Sequence, residues 1–482
     1  MKQYVTVALL WLSLFSCTPH PEQVTFVDEP APIYPDYRDV TIPYNIAPLN
    51  FMLTNEATAF RVSVCGRKDS LVETGTYKVC FSIKKWKRLL DAEKGDGLTV
   101  NVMALVKGKW LHYAPFSWEV APEAMDSYMS YRLIEPGYEV WNALQLCERN
   151  LENFDERVIA DNNLTEGSCM NCHMYGQQSG KLSMFHLRGK NGGTILNRNG
   201  KLRKLVLKND SMISSAVYGD FHPSGRYGVF SSNIIIPAFH AQNNRRLEVF
   251  DTKSDLAIAD FDNNRMITSS LVSRKEVLET FPTFSADGRF IYYCAAPMVA
   301  LPDSVRQLRY SLYRIGFDAE AGIWGNRIDT VWDANKQAGS VCFPKVSPDG
   351  RYMLFTVADY GTFPIWHQET DLRLLDLQTG MVDSLKQVNS DRSDTYHSWA
   401  SGSRWFVFAS KRGDGQYGKP YFAYVDKQGN THKPFVLPQK DPEHYDHTFK
   451  SYNIPELSAT PLPFDAAAIK HVYQSMQAEV FK

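Results

Sequence analysis

The 482-residue chain has few of the features that would assign an activity directly. It has no G-x-S-x-G nucleophile elbow, which excludes a propeller fused to a serine peptidase, and no P-loop or H-E-x-x-H, which excludes the common nucleotide and zinc-protease sites. Carboxylates such as Glu248, Asp251 and Asp359 are present, but no spacing pairs two of them for glycoside hydrolysis. These absences argue against a hydrolase. Charge is balanced, with 52 basic and 53 acidic residues and no block of one sign, so nucleic acid is not an expected partner. Beyond the N-terminus no apolar run is long enough for a transmembrane helix. There are 8 cysteines, and Cys65, Cys80, Cys147, Cys294 and Cys342 are scattered among apolar residues, as buried thiols are; Cys65 and Cys80 would be free to pair in an oxidising compartment.

The N-terminus, MKQYVTVALLWLSLFSC, has a basic start, a short apolar stretch and Leu14-Phe15-Ser16-Cys17, a lipobox-like sequence. It predicts a signal peptide over 1–16, cleavage before Cys17 and lipidation of that cysteine. Two or more acyl chains would give a stable anchor. Residues 17–43, rich in Pro, Asp and Glu, are expected to be a tether at the cell envelope, facing the periplasm or the outside.

Internal repetition sets the fold class. VYGDFHPSGRYGVFSSN from Val217, TFPTFSADGRFIYYCAA from Thr280, CFPKVSPDGRYMLFTVA from Cys342 and TYHSWASGSRWFVFASK from Thr395 share one pattern: an apolar strand, a Ser/Asp-Gly turn and an aromatic-rich second strand. The aligned arginines are Arg226, Arg289, Arg351 and Arg404. Further strands follow, as at Leu372 to Leu375, and four strands repeated around an axis predict an all-β propeller. Residues 182–207 and 131–160 supply two more blades. Tyr452 to Ser458 aligns with Thr280 to Ser285, so the last inner strand is expected to close the first blade of a six-bladed ring over 126–460. Residues 44–125, with runs such as Phe60 to Val64 and a hairpin at Lys107 to Trp110, are expected to form a small β-sandwich. Residues 461–482 are expected to form a terminal helix.

FSADGRFIYY and VSPDGRYMLF resemble the PD40 (WD40-like) repeats of TolB-like propellers. The wider run, including SYRLIEPGYEVWN, CMNCHM, FHLRGKNGGT and SYNIPEL, is similar to a Bacteroidetes group of lipoproteins that joins a CxxCH motif to such a propeller. The resemblance covers roughly residues 45–460 and implies the fold; it brings no settled activity.

The closely spaced cysteine pair lies in Ser168-Cys169-Met170-Asn171-Cys172-His173-Met174. C-x-x-C-H is the attachment signature of c-type haem, with Cys169 and Cys172 as thioether anchors and His173 as the iron ligand. The alternatives are a zinc site completed by a distant histidine, a local disulfide, or free thiols with a structural role. In small cytochromes the motif opens a helix, whereas here polar, glycine-containing sequence follows, so any haem would lie against the propeller. His397 starts an inner strand and His240 and His367 lie in second-to-third-strand loops, so these three are expected on one face beside the Cys169 segment. They are the candidate sixth ligands, with Met174 and Met184 nearer in sequence; His186 and His222 are weaker. Asp359, Tyr360, Gly361, Arg412, Asp414 and Tyr417 would share that face as a surface for a protein partner. Two functions follow: electron transfer or redox sensing through haem c, or a haem-free propeller module that binds a protein or glycan.

Overall fold

The repeat turns close on their own side chains. Ser285 Oγ donates to Asp287 at 2.6 Å, the same carboxylate accepts the Arg289 N–H at 3.1 Å, and Phe290 N–H donates to Ser285 Oγ at 3.0 Å. Ser347, Asp349, Arg351 and Tyr352 repeat this arrangement. Gly225, Gly288 and Gly350 take the left-handed conformation that the turn demands. Gly288 is also pressed against the neighbouring turn, since a Cβ there would sit 2.1 Å from His222 Nε2. Gly288→Ala is therefore expected to cost about 2–5 kcal/mol, combining backbone strain with overpacking. Gly350→Ala, whose Cβ meets Ala286 at 3.3 Å, is expected to cost about 1–2 kcal/mol. Urea unfolding of both variants checks the order.

A computed structural model describes residues 24–135, 143–238 and 248–482; the expected signal peptide, Cys17 and His240 lie outside the described residues, as do the side chains of Asn171 and Cys172. The fold is propeller-type and mostly β. Among the described residues, six antiparallel sheets follow one another from Tyr128 to Ser458. Their innermost strands are Met170–Gly176, Ala216–Phe221, Val277–Phe284, Ser340–Val346, Asp394–Trp399 and Ser451–Ser458. The last of these pairs antiparallel with Tyr128–Ile134, from more than 300 residues upstream, which covers an edge that would otherwise be open. The aligned arginines brace sheet ends: Arg226 pairs with Asp260 at 2.8 Å and lies over Tyr227, and Arg351 lies over Tyr352.

The N-terminal region differs from the expected sandwich over 44–125. It pairs a seven-stranded sheet with a three-stranded one, and it adds the helix Ile83–Ala92, whose Trp86, Leu89 and Leu90 are buried on one face. From Val24 onward the expected tether is part of this unit. Val24–Pro30 pairs with Lys109–Ala114, Val40–Pro43 pairs with Phe116–Ala121, and Tyr37 is fully buried. The scattered Pro and Asp disguise short strands: Val40 and Ile42 are buried in the core, whereas Val24–Pro30 lies on the surface with Val27 packed against that core. That core continues into the sixth sheet, where Trp405 Nε1 donates to the Glu123 carbonyl at 3.1 Å. Cys65 and Cys80 are free thiols, and unlike the buried Cys147, Cys294 and Cys342, Cys65 is half-buried and Cys80 exposed. The C-terminal helix is shorter than expected, Ala466–Ser475, and Glu479–Val480 then adds a parallel strand to Lys201–Val206. No helix among the described residues is long and apolar enough to cross a membrane.

Candidate functional site: an axial chamber

Each innermost strand is interrupted by a bulge at the same register position. In five of them a non-glycine residue there has positive φ: Tyr218, Phe281, Phe343, Tyr396 and Ile454. Such residues cost roughly 1–3 kcal/mol each, and repetition of this strain at one level marks a place that the surrounding structure holds deliberately. In Met170–Gly176 the irregularity falls between Asn171 and Met174, so the backbone register puts Cys172 at the equivalent position. The rings touch in sequence: Tyr218 to Phe281 at 5.4 Å, Phe281 to Phe343 at 4.5 Å, and Phe343 to Tyr396 at 4.6 Å between centroids. Phe363, from the loop after Tyr352–Ala358, packs on the first three.

One residue further along, the equivalent positions are His173, Gly219, Pro282, Pro344, His397 and Pro455; the next are Met174, Asp220, Thr283, Lys345, Ser398 and Glu456. His173, His397, Lys345, Ser398 and Glu456 line, with the rings, an axial chamber of about 100 Å³. Its walls are thus aromatic at one level and polar at the next.

The polar groups are unusually short of partners. His173 is 9% exposed and its Nε2 has no protein hydrogen-bond partner; His397 is 5% exposed and neither ring nitrogen has one. Burial and the nearby Arg132 and Lys345 charges push His173 down to about 4, against loose backbone contacts with Ser130 and Ile454. Burial pushes His397 down to about 3, with backbone contacts from Leu354 opposing and Lys345 adding to the effect. Both imidazoles are neutral at pH 7. Burial raises the Glu456 carboxyl to about 7, although Lys345 and the Tyr175 N–H, 3.0 Å away, favour its anion. The Lys345 ammonium is 4.0 Å from Asp220, which already accepts from Thr283 Oγ1 and the Phe284 N–H.

His173, Met174 and His397 are therefore brought to one chamber, and the other predicted residues that the structure describes are not. His367 is held by Glu248 at 3.2 Å and Glu369 at 3.5 Å, beside Tyr360, whose hydroxyl donates to Glu248. Arg412 is used in an ion pair with buried Asp394 and lies over Tyr421; Asp414 accepts the N–H groups of Gln416 and Tyr417. Asp359 is exposed on its loop. Met184 is core, and Met174 is buried but reaches the chamber wall. His186 bonds Thr194 and His222 bonds Ser224.

The described residues do not fit the expected haem. Cys169 is a free thiol in the core between the first two sheets, with Arg132 Nη1 3.8 Å from its sulfur, whereas His173 lines the chamber. A porphyrin joined to one and ligated by the other needs a single open volume reaching both. The chamber does not include Cys169, and its volume is well below the ~300 Å³ at which cofactor pockets begin. Residues 169–171 are extended against 186–188, so a span of three residues covers roughly 10 Å, too far for a local disulfide. No group of three metal-ligating side chains occurs among the described residues.

Lys345, Glu456 and the aromatic ring escaped sequence reasoning. The signal was a column of the repeat alignment: Asp220, Thr283, Lys345, Ser398 and Glu456 put polar residues at one position of otherwise apolar inner strands.

No family model and no curated protein matches the sequence. Among solved structures the chain is similar to propeller-type folds. A puromycin hydrolase S511A mutant complexed with PGG is 11% identical over 64% of this chain and 45% of its own, with a TM-score of 0.37. A Mycobacterium tuberculosis puromycin-hydrolyzing peptidase is 10% identical over 86% and 57%, with a TM-score of 0.38. The Pseudomonas aeruginosa periplasmic gluconolactonase PpgL is 13% identical over 65% and 97%, with a TM-score of 0.34. The chain spans about half the length of the two hydrolases.

Proposed function

We propose that the chain is a six-bladed, TolB-like propeller lipoprotein of the cell envelope that acts as a haem-free binding module, with the axial chamber as its site. The observation that carries this reading is the chamber itself, walled by the ring of Tyr218, Phe281, Phe343 and Tyr396 and by the His173, Lys345, His397 and Glu456 side chains. The C-x-x-C-H segment then has a structural part: Cys169 fills the space between two sheets, and the strand that follows brings His173 to the axis. A protein or glycan partner would present a small group to the chamber.

Protein exported in a host with c-type maturation machinery is expected to show no covalent haem in an in-gel stain and no haemochrome band in pyridine. The Cys169→Ala/Cys172→Ala variant is the control. A covalent signal that this variant loses would restore the electron-transfer reading and overturn the binding module.

A further inference from the structure

We propose that the outer face of the N-terminal sheet, along the edge strand Val24–Pro30, docks onto the lipid bilayer that holds the Cys17 anchor. This rests on the lipoprotein reading and adds to it the surface that meets the membrane. Strand register builds the face in two adjacent rows. Val24, Trp110, Leu105 and Ala59 lie side by side, and so do Phe26, His112, Met103 and Arg61. Val27, Leu111, Ala104 and Val62, which alternate with them, pack in the core, so both rows are turned to solvent. Phe26 is 77% exposed, and its ring rests 5.1 Å from the His112 ring instead of in the interior. Val24, Trp110, Leu105 and Met103 are half-buried beside it. This is a run of apolar side chains that nothing in the fold covers.

The path of the chain selects the occupant. Cys17 precedes Val24 by seven residues, which span at most about 25 Å even when fully extended. A lipid on Cys17 therefore keeps Val24 and its neighbours within that distance of the bilayer. Charge fits as well: exposed Lys107 and Lys109 form the turn between Gly97–Val106 and Lys109–Ala114, next to Trp110 and Val24, and exposed Arg61 stands in the second row. Glu56, just before Ala59–Cys65, offsets one of these charges, whereas Asp28 and Glu29 lie toward the far end of the edge strand. Phe and Trp side chains settle at the headgroup level of a bilayer, and lysines beside them meet the phosphates of anionic lipids.

The test uses the full chain, exported and processed in a host that acylates lipoproteins, then reconstituted into phosphatidylcholine vesicles containing phosphatidylglycerol. Intact mass reads acylation of Cys17. With bromine on the acyl chains of the vesicle lipid, part of the tryptophan fluorescence is expected to be quenched, and Trp110→Phe is expected to lose that part. Lys107→Glu/Lys109→Glu, confined to an exposed turn, is expected to lower the quenched fraction about 3-fold or more. Acylated protein whose fluorescence the brominated lipid leaves unchanged, or quenching that Trp110→Phe retains in full, overturns the docking face and leaves the lipoprotein reading standing. A chain without acyl groups on Cys17 overturns both.

Discussion

A chain ending at Lys450 is expected to give no cooperatively folded protein. Ser451–Ser458 supplies the inner strand of the sheet that begins at Tyr128, and without it Tyr128–Ile134 becomes an open edge facing the axis. The cut also removes Tyr452 and Leu457, both essentially fully buried, and the helix residues Ile469, Val472 and Tyr473 that pack on the first two sheets. At roughly 1.5–3 kcal/mol for each large apolar side chain, the apolar burial alone rivals the 5–15 kcal/mol of a whole domain's stability. A chain ending at Gln477 keeps the closure. It gives up the Arg203–Glu479 ion pair and buried Phe481, and is expected to lose about 3–5 kcal/mol while remaining folded. Soluble yield and urea transitions of the two truncations separate these outcomes. A cooperative transition in the Lys450 chain would show that closure is dispensable.

Asp251→Asn is expected to stabilise the protein increasingly as pH rises from 4 to 8. Asp251 is fully buried and one of its oxygens accepts from Asn233 Nδ2 at 2.8 Å, but the other has no partner. Burial raises its carboxyl to about 7, with the Asn233 bond opposing. Between about pH 4 and 7 the unfolded chain has released this proton and the folded one has retained it. Folding stability therefore falls with rising pH through that window. Asparagine carries no such proton, so the variant's stability relative to the parent should rise by about 2–4 kcal/mol across it. Urea unfolding at pH 4.5, 6 and 8 measures the difference. A constant difference would mean that Asp251 ionises in the folded state as it does in the unfolded chain.

The closure strand was legible because it obeys the same local rule as the repeats it joins: Asn453-Ile454-Pro455 stands where Thr280-Phe281-Pro282 stands, and the bulge recurs. The N-terminal strands from Val24 to Pro43 were not legible as strands. They are short, interrupted by proline, and stabilised by parallel partners some 80 residues away, a relation that no local pattern encodes.

The chemistry divides along the same line. Repeat spacing and turn composition determined the sheets by themselves, because a hairpin with a Ser-x-Asp-Gly turn is satisfied by hydrogen bonds within a few residues. The C-x-x-C-H spacing was equally plain as a string, but its meaning depended on conformation. An extended strand sends Cys169 into the inter-sheet core and His173 to the axis, and spacing alone cannot distinguish that from a helix that would turn them to one ligand. Only the tertiary structure decided which residues meet. Lys345, His397 and Glu456 lie more than 50 residues from one another along the chain, and they share a chamber because every inner strand presents the same register position to one axis.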